Sequence, residues 1–138
     1  MRALFALLLL MASLTAFAQE AQAPAPAEGP TPPDVSKMPF TQDSIRQVMT
    51  FHQPKIQACY EDFLRTKEKA VEGKLMTAFT VTAEGLVSKA RVDRKRSTLR
   101  DGKLNDCVVA VLTSMEFPKP PEGRPQPIEY PLNLKAIR

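Results

Sequence analysis

The amino-acid sequence predicts an α+β domain in which two helices pack on one face of a three-stranded antiparallel sheet. Two segments place apolar residues at every third or fourth position, which is the period of an amphipathic helix. Three other segments follow the two-residue alternation of a half-buried strand. The chain has 138 residues, 43% of them hydrophobic, so it is long enough for one small domain and too short for a multidomain enzyme.

The first predicted helix begins near Thr41 or Asp43, either of which can cap it. Pro54 lacks an amide hydrogen and clashes with the preceding turn, so the sequence predicts a kink or a short break near His52 and Gln53. The apolar face of the helix consists of Ile45, Val48, Met49, Ile56, Cys59, Tyr60, Phe63 and Leu64.

A β-hairpin is predicted over residues 73–93, with its turn at residues 82–85. Lys89 and Arg91 are expected on the exposed face of its second strand. The opposite face of the hairpin consists of Leu75, Thr77, Phe79 and Val81 in the first strand and of Leu86, Ser88, Ala90 and Val92 in the second.

A second helix and a third strand complete the predicted fold. Asp101 is the expected cap of the helix, which stops at Phe117 and Pro118. Its apolar stripe is formed by Leu104, Cys107, Val108, Val111, Leu112 and Met115. The third strand spans residues 128–134, and Pro127 and Pro131 cannot donate hydrogen bonds to a neighbour, so one edge or a bulge must be unpaired there.

Residues 1–18 have the pattern of a signal peptide. Arg2 precedes an apolar run over residues 3–14, and Ala16-Phe17-Ala18 is a small-x-small cleavage site. We expect cleavage after Ala18 and a periplasmic protein; an uncleaved inner-membrane anchor and secretion from the cell are the alternatives. Residues 19–39, rich in proline and alanine, are expected to be a disordered tether, and residues 40–138 form the domain.

The two cysteines, Cys59 and Cys107, are expected to form one disulfide. Each lies on the core-facing stripe of a predicted helix, and exported proteins fold in an oxidising compartment. Two unpaired buried thiols are the alternative. The spacing does not match a CxxC motif, and the chain has one histidine, which argues against a redox motif and a zinc site.

Few side chains in the sequence suit catalysis. His52 is the only imidazole, and no nucleophile, metal ligand or carboxylate pair accompanies it. We therefore expect a non-catalytic protein without a cofactor or a metal ion. Export also removes nucleic acid from the expected partners.

Several short phrases occur in the order helix, hairpin, helix, strand. They are Ile56-Gln57-Ala58-Cys59-Tyr60-Glu61 with Leu64, Gly73-Lys74 leading to Phe79-Thr80-Val81, Glu84-Gly85-Leu86-Val87, Leu99-x-Asp101 leading to Cys107-Val108, Phe117-Pro118-x-Pro120 with Gly123, and Tyr130-Pro131. Together, over residues 45–134, they resemble the AgmX/PglI C-terminal domain of myxobacterial envelope proteins, a relative of the TonB C-terminal domain.

The resemblance implies a TonB-like fold and a periplasmic protein-interaction module, and it supplies no catalytic residues. TonB-type energy transducers keep an N-terminal membrane helix and a long proline-rich spacer. Here a cleaved signal peptide and a tether of 21 residues are expected, so the resemblance does not extend to energy transduction.

The terminal strand is the first candidate site, because an exposed strand edge binds an extended peptide through main-chain hydrogen bonds. Its candidate residues are Glu129, Tyr130, Pro131, Asn133 and Lys135. The expected partner is an envelope protein or an extended peptide. A structural subunit that pairs its own edge strands, as a homodimer or in an envelope or motility assembly, is the alternative. The prolines are equally suited to protect the edge from pairing.

A basic cluster is the second candidate site. It consists of Lys89, Arg91, Arg94, Lys95, Arg96 and Arg100, with Asp93 as the single acid among them. Such a patch suits anionic lipid head groups, a polysaccharide or an acidic partner. A merely solvated loop is the alternative.

Overall fold

The computed structural model describes residues 29–137. The predicted signal peptide, its cleavage site and the first part of the predicted tether lie outside the described residues. The elements follow the order α1 (Gln42–Leu64), β1 (Gly73–Val81), β2 (Val87–Asp93), α2 (Gly102–Thr113) and β3 (Gln126–Leu134). The predicted α+β fold of two helices and a three-stranded antiparallel sheet is confirmed.

The sheet has the strand order β2-β1-β3, so β1 is central and the other two strands are edges. Leu75 of β1 is opposite Leu132 of β3, and both are buried on the face that the helices cover. Thr77 and Phe79 are buried on the same face, as their alternation predicts. Core residues from both helices join them, namely Ile45, Val48, Met49, Ile56, Tyr60, Leu104, Val108 and Leu112.

Helix α1 is continuous through Pro54, so the short break that was one of the two outcomes predicted near His52 and Gln53 is wrong. A proline inside a helix costs about 3 kcal/mol, yet Met49 before it and Ile56 after it are both buried in the same core. Packing on both sides therefore keeps the two halves in one helix. Thr41 is the cap, and its Oγ1 accepts a hydrogen bond from the Ser44 amide at 3.2 Å.

Strand β2 contains a bulge that the alternation of its residues does not reveal. Ser88 pairs with Thr80 and Arg91 with Ala78, so two β2 residues lie opposite Phe79. One of them, Lys89, has φ 54°, which is left-handed backbone. The extra residue shifts by one position the alternation of side chains that face the core and side chains that face solvent.

Because of this bulge, the prediction that Leu86 faces the core is wrong. Leu86 is 51% exposed, whereas Val87 is buried. Beyond the bulge, Ala90 and Val92 pack against the core as expected.

Helix α2 begins at the predicted cap, where Asp101 Oδ1 accepts from the Leu104 amide at 2.8 Å, but it ends at Thr113, earlier than expected. The following segment crosses to the hairpin turn, and the Phe117 amide donates to the Gly85 carbonyl at 2.8 Å. Gly85 has φ 86°, and a Cβ there would collide with the Phe117 carbonyl oxygen. Phe117 also stacks on Phe79, with ring centroids 5.4 Å apart.

The end of the predicted tether already packs on the domain. Val35–Lys37 form a 3-10 helix, and Val35 contacts the core. Packing therefore begins before the domain boundary expected at residue 40, because Val35 supplies an apolar group that the core accommodates. Within residues 29–137, no helix is long and apolar enough to cross a membrane.

Candidate functional site

The outer side of β3 is the candidate site, because β3 pairs with β1 on one side only. The pairing is in register along the whole strand, from Gln126 opposite Val81 to Leu134 opposite Gly73. The strand begins at Gln126, two residues before the predicted start at residue 128, and Pro127 lies opposite Thr80.

The direction of the β1 backbone groups identifies which β3 groups are unpaired. The Lys74 amide donates to Thr98 Oγ1 at 2.7 Å, and the Lys74 carbonyl accepts from the Thr98 amide at 2.8 Å. The Met76 amide donates to Ser97 Oγ, on the same side. The backbone N–H and C=O groups of successive residues point to opposite sides of an antiparallel strand. Those of residues 73, 75, 77, 79 and 81 therefore point to β3.

Their β3 partners, residues 134, 132, 130, 128 and 126, therefore direct their backbone groups to β1. The backbone groups of the alternate residues point away from β1, to the open side of the strand. These residues are Pro127, Glu129, Pro131 and Asn133. The two prolines thus occupy positions where a ladder needs no amide, which is how β3 includes them without a bulge. The open edge, defined as these four residues, offers four carbonyl acceptors and the amide donors of Glu129 and Asn133.

The five predicted edge residues differ in their position in β3 and in the direction of their backbone groups. Glu129, Pro131 and Asn133 lie on the open edge and are exposed. Tyr130 is half-buried, and its carbonyl accepts from Thr77 Oγ1 at 2.6 Å, so its backbone faces β1. Lys135 follows the strand, and its carbonyl accepts from Gln57 Nε2 at 3.3 Å.

A groove of about 650 Å³ runs between the start of α1 and the open edge. The helix contributes Gln42, Ile45 and Arg46, and β3 contributes residues 127–131 and 133. Arg46 is paired with Asp43, so its charge is compensated. The groove is therefore a mixed polar and apolar channel beside unpaired backbone groups.

Glu129 connects the open edge to the predicted basic cluster. Its carboxylate accepts two hydrogen bonds from Arg96, at 2.7 and 3.0 Å, and Arg96 Nε donates to Asp93 Oδ2 at 2.8 Å. The hydrogen bonds from Arg96 hold the pKa of both carboxyl groups below their usual ranges. No sequence pattern signals this network, because the two partners of the bidentate pair are 33 residues apart.

The remaining cations of the predicted cluster have no carboxylate partner among residues 29–137. Lys89 and Arg91 are exposed along β2, as expected. Arg94, Lys95 and Arg100 are exposed in the loop that follows β2. Within the cluster, Arg96 is thus paired with two carboxylates, and the other five cations form no ion pair with a described residue.

Cys59 of α1 and Cys107 of α2 form a disulfide, with their Cα atoms 5.8 Å apart. The bond joins the two helices on the core face, where both apolar stripes meet. The structure thus contains the disulfide that the sequence analysis predicted.

His52 lies beside Phe51, with ring centroids 5.0 Å apart. Burial, with a smaller contribution from the Lys55 charge, lowers the pKa of His52. Its Nδ1 is buried without a hydrogen-bond partner among the described residues. In the part of the chain that the structure describes, no three His, Cys, Asp or Glu side chains are placed to hold a metal ion.

No protein-family model matches the chain, and no curated protein matches it. A similar solved structure is the solution structure of the TonB C-terminal domain of Helicobacter pylori. The match has 20% sequence identity and a TM-score of 0.44, and it covers 73% of this chain and 98% of that one. At this identity and TM-score the match carries no argument about function, and membership of the AgmX/PglI family stays a prediction.

Proposed function

We propose that this chain is a non-catalytic periplasmic module that binds an envelope protein by adding an extended segment of it to the open edge of β3. The observation that carries the proposal is the pairing pattern of β3, in which Glu129 and Asn133 keep unpaired amides beside a groove. Strand addition draws its affinity from such backbone groups and its specificity from neighbouring pockets.

The prolines favour a foreign strand over a second copy of β3. An antiparallel, proline-free strand along residues 127–133 makes six of the eight backbone hydrogen bonds of a full ladder, because Pro127 and Pro131 each lack a donor. Two copies of β3 that pair over the same length make only four of these hydrogen bonds, because each copy contributes two prolines that lack a donor. The homodimer is therefore the weaker candidate.

The groove beside the open edge offers contacts to the side chains of the partner segment that is proposed to add to β3. Ile45 and the half-buried Ile128 and Tyr130 give it apolar walls. Gln42 and Asn133 add neutral polar groups. A strand that alternates apolar and neutral polar residues fits these walls better than a highly charged one, which would lose hydration without gaining a counter-charge.

The deciding variant is Asn133→Pro, tested for binding to an array of overlapping peptides from the envelope proteins of the producing organism. The substitution removes one donor from the open edge and no bond from the β1 ladder. We expect peptide binding to fall roughly two- to ten-fold, the value of one hydrogen bond, while the melting temperature changes little.

Two control variants complete this experiment. Asn133→Ala keeps the amide and loses only the side chain, so its peptide binding should fall less than that of Asn133→Pro. Ile128→Pro removes an amide that faces Phe79 of β1, so the fold itself should be destabilised. Full binding and full stability in Asn133→Pro would contradict strand addition at β3.

The compartment is part of the proposal and has its own test. Export with cleavage after Ala18 predicts that the isolated protein begins at Gln19. A full-length form that stays with membranes after a carbonate wash would instead support the anchored alternative.

A further inference from the structure

The strand register gathers three separate chain segments at one end of the sheet. Gly73 pairs with Leu134 and Met76 with Asp93, so the start of β1 and the ends of β2 and β3 lie together. Thr98 bonds to Lys74 and fastens the loop after β2 to the same place. We call residues 65–74, 94–100 and 135–137 the basic end.

Charge is distributed unequally between the two ends of the sheet. The basic end has nine lysine and arginine residues and two glutamates. The opposite end, residues 82–86 and 114–126, has two basic and three acidic residues. The domain therefore presents a positive potential at one end of its sheet.

Most of the positive charge at the basic end is uncompensated. Arg65 pairs with Asp62, and Arg96 pairs with Asp93 and Glu129. The other seven cations have no ion pair with any residue that the structure describes. The strand register places the segments that carry these cations at one end of the sheet, so their charges add to a positive potential there.

Two exposed aliphatic residues accompany the cations. Val71 is 39% and Ile137 is 78% exposed, and both lie at the basic end. The Tyr60 hydroxyl donates to the Val71 carbonyl at 2.9 Å and fixes the chain there. Of the large exposed hydrophobic residues in the described chain, only Leu86 lies at the opposite end.

We propose that the basic end docks this domain on a membrane surface that carries anionic lipid head groups. Cations beside exposed aliphatic side chains suit such a surface, because the cations contact phosphates while the apolar groups enter the interfacial layer. A soluble polyanion would use the cations but leave Val71 and Ile137 in water. The proposal does not depend on strand addition at β3.

The test is cosedimentation with vesicles of phosphatidylcholine and of phosphatidylcholine containing about one-third phosphatidylglycerol. The exported form is used, and all variants share one N-terminus, because an uncleaved apolar run would bind vesicles by itself. We expect salt-sensitive binding to the anionic vesicles and none to the neutral ones.

Matched charge variants locate the binding surface. Arg94→Gln with Lys95→Gln should lower the partition coefficient roughly 25-fold, about five-fold for each cation. Lys119→Gln with Arg124→Gln removes the same charge at the opposite end and should change little. An equal loss in both double variants would overturn the proposal, because net charge would then explain the binding.

A second pair of variants separates a membrane from a soluble polyanion. Val71→Ser with Ile137→Ser should weaken vesicle binding roughly five-fold, whereas Leu86→Ser should leave it unchanged. Vesicle binding that does not respond to the two aliphatic changes would overturn membrane docking. Binding to soluble polyphosphate without binding to vesicles would overturn it as well.

Discussion

Arg96 and Glu129 form a bidentate ion pair that joins the loop after β2 to the edge strand β3, at 2.7 and 3.0 Å. The same guanidinium donates to Asp93 at the end of β2. One side chain thus links both edge strands of the sheet across the central strand. It also removes Arg96 from the cations that are available to an outside partner.

The first prediction concerns the pH dependence that this network creates. The native pKa values of Glu129 and Asp93 lie below their ordinary values of 4.5 and 3.8. The stability from the network is therefore present above about pH 4.5 and is lost as the pH falls through the lowered values. Arg96→Gln should raise both pKa values toward the ordinary ones, which NMR titration of the carboxyl groups measures.

The control for Arg96→Gln is Arg94→Gln. It removes the same charge, and Arg94 has no carboxylate partner among the residues that the structure describes. It should leave the pKa of Glu129 nearly unchanged. Equal pKa values for Glu129 in the two variants would show that hydrogen bonding by Arg96 is not the cause.

The second prediction concerns the bulge at Lys89. A non-glycine residue in left-handed backbone costs roughly 1–2 kcal/mol, so Lys89→Gly should raise the free energy of unfolding by about 1 kcal/mol. Urea unfolding measures the change. Lys89→Ala keeps the strained backbone and should not stabilise the domain. If the free energy of unfolding rises as much in the alanine variant as in the glycine variant, loss of the lysine charge is the explanation instead.

The third prediction concerns the disulfide between Cys59 and Cys107. It closes a loop of 48 residues, for which the chain-entropy model gives roughly 4 kcal/mol. The double variant Cys59→Ser with Cys107→Ser should lose about this much stability in urea unfolding. The non-reduced parent should have a mass two hydrogens below that of the thiol form. Two free thiols in freshly isolated protein would contradict the bond.

Periodicity and capping residues together predicted most of the fold. The alternation of Leu75 and Phe79 identified the buried face of β1, and the Asp101 side chain marked the start of α2. These features are local, because side-chain spacing and capping act within one element. The prolines of β3 left two outcomes open, an unpaired edge or a bulge, and β3 pairs with β1 without a register shift.

The rest of the structure depends on contacts that spacing does not encode. The sequence predicted a kink or a short break near His52 and Gln53, but the core on both sides of Pro54 keeps α1 continuous. An extra residue at Lys89 moved Leu86 to the outside, and alternation has no signal for a bulge. The pairing of Arg96 with Glu129 arises only when the sheet forms.

The most direct test of strand addition is the hydrogen exchange of two backbone amides, measured by NMR with and without a bound peptide from the envelope array. In the unbound protein, the amides of Glu129 and Asn133 should exchange quickly, whereas that of Ile128 is protected by β1. Peptide binding should slow both open-edge amides together. A peptide that binds tightly while both amides continue to exchange as in the unbound protein would contradict the account.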